Sequence, residues 1–118
     1  MDEDETPAVV KEADDAYEAI RAINHLTNFG PIPAPDVYRV LGNLKHAGGH
    51  GLAQALDQLS RGLIDSLDKY DVYEDDGGDP KANANVASTY LKEAALKAQE
   101  IGVLLGSAQS AISRQGYK

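Results

Sequence analysis

The chain has no cysteine and no tryptophan, and only one phenylalanine and one methionine in 118 residues. Without cysteine there is no disulfide, no thiolate metal site and no cysteine nucleophile. Long apolar runs are missing as well: no stretch approaches the roughly 20 residues needed to span a bilayer. The opening "MDEDETP" is acidic where a signal peptide would be basic. The expectation is a cytoplasmic protein without membrane contact. No segment shows the alternation or β-branched density of a strand, so the fold should be all-α.

Basic residues are scarce, with 11 Lys and Arg against 19 Asp and Glu, a net charge of −8. The imbalance is local. Residues 1–79 hold 17 acidic against 6 basic side chains, net −11, and residues 80–118 hold 2 against 5, net +3. An acidic surface repels phosphates, so direct nucleic-acid binding is not expected.

What is present is helical patterning. Residues 1–6 lack apolar anchors and read as a disordered acidic tail, with residues 7–118 forming one helical domain. Thr6-Pro7 has the form of an N-cap and first helical residue. Val9, Ala13, Ala16, Ile20 and Ile23 then make the stripe of a helix over about 8–27. Three prolines in "GPIPAP" end it. Val37, Val40, Leu41 and Leu44 mark a second helix over 36–46. Leu52, Leu56, Leu59, Leu63, Leu67 and Tyr70 mark a third over 51–70. Asp79-Pro80 caps a last helix over 81–114, where Ala87, Leu91, Ala94, Ala98, Ile101, Leu105, Ala108 and Ile112 alternate steps of four and three. The expected architecture is a four-helix bundle-like domain. Its core would hold Ile20, Ile23, Leu41, Leu56, Leu59, Leu63, Leu91, Ile101 and Leu105.

Candidate chemistry is thin. His46 and His50 stand four apart in "KHAGGHG", a spacing that puts two imidazoles on one helix face, as in half of a zinc site. Gly48 and Gly49 disfavour helix there, and Ala47 occupies the place of the glutamate in a metalloprotease motif. The glycines read more simply as a corner between the second and third helices. Aligning Gly77 with the sixth position of a calcium loop puts Val72 and Asn83 where carboxylates are needed, so that register fails. No serine lies in a nucleophile elbow, and no phosphate loop is present. No catalytic residue and no cofactor is therefore assigned, and an enzyme is not expected.

Two features of the last helix point to association. Ala94, Ala98, Gly102, Gly106 and Ser110 form a ladder of small residues that permits close helix packing, against another helix of the chain or against a partner. Around Ile101, Val103, Leu104, Leu105 and Ile112 the helix is apolar on more than one face. Val103, Leu104, Gly102 and Gly106 are thus the candidate interaction surface.

The stretches "DVYRVLGNLKHAGGHGLAQALDQLSRGL" (36–63) and "AQSAISRQGYK" (108–118) resemble small, uncharacterised all-helical proteins of actinobacteria. That resemblance implies an accessory protein and transfers no site residues. Secreted helical hairpins of the WXG type would fall in the same class, but the chain has no tryptophan to form their turn motif. The functional expectation is a non-catalytic helical interaction module, binding a protein partner or forming a homodimer through its long last helix. The alternative is metal binding or sensing at His46 and His50.

Overall fold

The computed structural model describes residues 5–117, and within them every regular element is helical. The acidic residues 1–4 of the expected tail lie outside the described residues, and Glu5 and Thr6 precede the first helix without regular structure. The chain divides into two compact units between Pro33 and Ala34.

The first unit is built on α1 (Ala8–Leu26). Pro7 stands at the N-cap position rather than inside the helix, and its carbonyl accepts from the Val10 and Lys11 N–H groups. Thr27 closes the other end by donating its hydroxyl to the Ile23 carbonyl at 2.7 Å. Gly30 takes φ 121°, a conformation that glycine adopts without strain. No α1 side chain is buried. Ile20, expected in the core, is exposed, and Ile23 is half-buried.

The second unit is a long helical hairpin. Its first arm comprises α2 (Ala34–Lys45), a π-helical turn (His46–His50) and α3 (Gly51–Lys69). The expected corner at Gly48-Gly49 does not exist. His50 and Gly51 keep right-handed helical dihedrals, and the Gly51 N–H donates to the His46 carbonyl five residues back, which is the π pattern. One rod therefore runs from 34 to 69, and the described chain has three helical rods rather than four.

The second arm is α4 (Pro80–Ala111), which ends before the expected residue 114. Its start matches expectation: Pro80 opens the helix, and the Asp79 carboxylate accepts from the Lys81 N–H at 3.0 Å. The loop between the arms turns at Gly77 (φ 80°), and the Gly78 N–H donates to Asp76 Oδ1.

The arms run antiparallel. Ser60 bonds Ser88, Ala53 packs with Ala95 and Ala98, Gly49 meets Gly102, and Gln109 reaches Lys45 and Tyr38. The contact line along α4 is Ala84, Ser88, Leu91, Ala95, Ala98, Gly102, Leu105 and Gln109, with Leu91 and Leu105 half-buried and the others buried. It keeps the alternating steps of four and three but is rotated by roughly 50° from the expected stripe at 3.6 residues per turn.

The expected leucine core is displaced accordingly. Leu41, Leu56, Leu91 and Leu105 are half-buried, while Leu59, Leu63 and Ile101 are exposed. The hydrophobic side chains that are fully buried are Ala53, Ala84, Ala95 and Ala98.

Candidate interaction surface

The hairpin's geometry begins with its smallest residues. A Cβ built on Gly49 would lie 2.5 Å from Gly102 Cα and 3.3 Å from the Ala98 carbonyl, so the two backbones touch at this crossing. A Cβ on Gly102 would stand 2.9 Å from the His50 ring. Gly102 therefore packs inside the hairpin, against another helix of the chain, and is not on an outer surface. Gly106 is half-buried and would bring an added Cβ to 3.9 Å from Lys45 Cδ, which is ordinary contact within the chain.

Polar groups fix the register along the same line. The Ser60 and Ser88 hydroxyls share a buried hydrogen bond. Gln109 is buried; it accepts from Lys45 Nζ at 3.0 Å and donates Nε2–H to the Tyr38 carbonyl at 3.0 Å. A Cβ on Gly42 would come within 2.8 Å of Gln109 Nε2, so glycine at 42 makes room for that amide.

With the seam located, the two broad faces of the hairpin differ in chemistry. On α3, Leu52, Leu59 and Leu63 fall roughly 70–110° to one side of the Ala53–Ser60 line. On α4, Tyr90, Ala94 and Ile101 fall in the same rotational sense from the seam. Because the helices are antiparallel, equal senses of rotation lead to the same face. The opposite sense carries Asp57 and Arg61 of α3 and Lys92 of α4, and these three side chains line one shared depression. The hairpin therefore has a charged face and an apolar face. The apolar face is open: Leu59 is 51% exposed, Ile101 46% and Tyr90 68%. It holds no acidic residue, and Tyr90 and Lys97, seven residues apart, stand at its outer margin.

Val103 and Leu104 are exposed at 62% and 67%. They lie on the back of α4, where they line an open surface with Leu96, Gln99 and Glu100. This patch is narrower than the hairpin face and is broken by polar side chains.

His46 and His50 are both exposed, with ring centroids 6.3 Å apart. Among the described residues no group of three or more His, Asp or Glu side chains is placed to hold a metal ion. No described helix is long and apolar enough to cross a membrane. No family model, curated protein or solved structure matches the chain.

Sequence reasoning missed Ser60, Ser88 and Gln109 because hydropathy discounts polar residues. The signal was available: Ser88, Ala95, Gly102 and Gln109 recur every seven residues along α4, a heptad row of mostly small side chains.

Proposed function

We propose that the protein is a non-catalytic helical interaction module and that the apolar face of the hairpin is its binding surface. One observation carries the reading: the large hydrophobic side chains Leu52, Leu59, Leu63, Tyr90 and Ile101 are exposed, while the buried residues of the contact line are alanine, glycine and serine with one glutamine, Gln109. Water contact with such a face is unfavourable by about 25 cal/mol for each Å² of apolar surface. Contiguous apolar patches of this kind mark sites of protein association.

A photo-reactive residue placed at Leu59 tests this, with the same residue at Arg61 on the charged face as control. The module reading predicts a covalent protein adduct from position 59 and little from position 61, whatever the mass of the captured protein. Equal labelling from both positions, or none from either, removes the apolar face as a binding surface.

A further inference from the structure

We infer that the occupant of the apolar face is a second copy of this chain, the two hairpins packing face to face into an antiparallel four-helix bundle with two-fold symmetry. The inference rests on the module reading above and adds the identity of the partner.

The first argument is shape. The α3 half of the face is a ridge of large side chains, Leu52, Leu59 and Leu63, all exposed. The α4 half is a row with small residues, Ala87 and Ala94, ended by Ile101 and flanked on its outer side by Tyr90 and Lys97. A single face thus carries both a ridge and a groove. A two-fold axis parallel to the helices lays the α3 of one copy over the α4 of the other, and each ridge meets a groove twice. Such self-complementarity is what an isologous interface requires.

The second argument is register. A two-fold axis along the helices preserves height, so the levels within one hairpin predict the levels across the dimer. Ser60 and Ser88 are in contact. One step back from Ser60 and two steps on from Ser88 bring Leu59 and Tyr90 to within about 2 Å of the same height. In the dimer Leu59 therefore sits between Ala87 and Tyr90 of the partner subunit, entering between two residues about one helical turn apart. This is knobs-into-holes packing without any shift along the axis.

The third argument is size and charge. Leu41 stands one residue before the contact glycine Gly42, as Leu59 stands before Ser60; from Leu41 to Leu63 the face runs about 33 Å, and two helices side by side are about 20 Å wide. The product, about 700 Å² per copy, approaches the roughly 800 Å² that each partner contributes to a stable complex. An acidic chain with net charge −8 would ordinarily repel its own copy. Here Asp57, Arg61, Asp65 and Asp68 of α3 all fall on the other side of the seam, so the repulsion is kept away from the contact.

The experiment is sedimentation equilibrium of the full chain, together with disulfide trapping in a protein that has no native cysteine. Sedimentation should give twice the 12.6 kDa chain mass. Leu59→Glu should weaken the dimer about 100-fold or more, because each interface would bury two unpaired carboxylates. Should that variant fail to fold, trapping still decides. Leu59→Cys chains mixed with Tyr90→Cys chains should form the mixed disulfide rapidly, whereas mixed Asp57→Cys and Lys92→Cys chains should not. A monomer at high concentration, a dimer indifferent to Leu59→Glu, or equal trapping by both pairs would overturn the inference. If a photo-reactive residue at Leu59 captures only a different protein, the module reading stands and the homodimer falls.

Discussion

Two stripes run side by side along the hairpin and divide the work of folding between them. The inner stripe is small and buried: Gly49, Ala53 and Ser60 on one arm, Ser88, Ala95, Ala98 and Gly102 on the other. The outer stripe is large and open, with Leu52, Leu59 and Leu63 beside Tyr90 and Ile101. Small residues let the helix axes approach closely and fix which residue faces which. They bury little apolar area. The large residues hold the area and cannot bury it within two helices. The difference teaches that hydrophobic size and intramolecular contact are separate properties in this chain, and that the stripe with more apolar surface is the one left exposed.

The largest single effect should come from breaking the backbone contact of the inner stripe. Gly49→Ala forces a methyl to within 2.5 Å of Gly102 Cα, where neither backbone can yield without separating the arms. Overpacking of this kind costs about 1–3 kcal/mol or more, partly offset by alanine's better helix propensity. Its neighbour provides the contrast. Gly48→Ala meets nothing within 4 Å and should stabilise by up to about 1 kcal/mol. Denaturant unfolding of the two variants should shift in opposite directions. Equal shifts would mean that the π turn, not the helix contact, controls this segment.

Next in size is Gln109→Ala, which removes an acceptor from Lys45 Nζ and a donor from the Tyr38 carbonyl. A loss of about 1–3 kcal/mol is expected, since the lysine amine and the carbonyl both lose a partner in a partly buried place.

The hydroxyl pair sharpens the comparison further. Ser88→Ala should cost about 1 kcal/mol by stranding the Ser60 hydroxyl. The double change Ser60→Ala with Ser88→Ala should recover part of that loss, because two methyls suit a buried helix contact. A double-mutant cycle measures this. Smallest of all is Gly62→Ala on the solvent side of α3, where an added Cβ meets nothing within 4 Å. It should stabilise by a few tenths of a kcal/mol up to about 1 kcal/mol.

Much of the architecture was legible in the sequence. The helical stripes, the Asp79-Pro80 cap and the proline-rich break near residues 30–35 all follow from local chemistry that the structure preserves. Three features were not legible, each for a physical reason. Glycines at 48, 49 and 51 have poor helix propensity and resemble a corner, yet a close crossing also requires glycine, and no local signal separates the two. The leucine stripe of α3 has the period of a core stripe although the hairpin leaves it exposed, and period alone does not tell which stripe is covered within the chain. Gln109 reads as a surface residue until Gly42 is seen to leave space for its amide. Of the expected interaction residues, Val103 and Leu104 are exposed, Gly102 faces inward, and the broader apolar face was hidden inside what looked like the core.

If a second copy covers the outer stripe, folding of the hairpin is coupled to association. The direct measurement is the thermal unfolding midpoint as a function of chain concentration, followed by circular dichroism across a hundredfold range. Coupled folding predicts a midpoint that rises by about 5 °C over that range, through mass action on the dimer. A midpoint that is the same at every concentration would show that each hairpin folds alone with its leucine face in water, and would contradict the account.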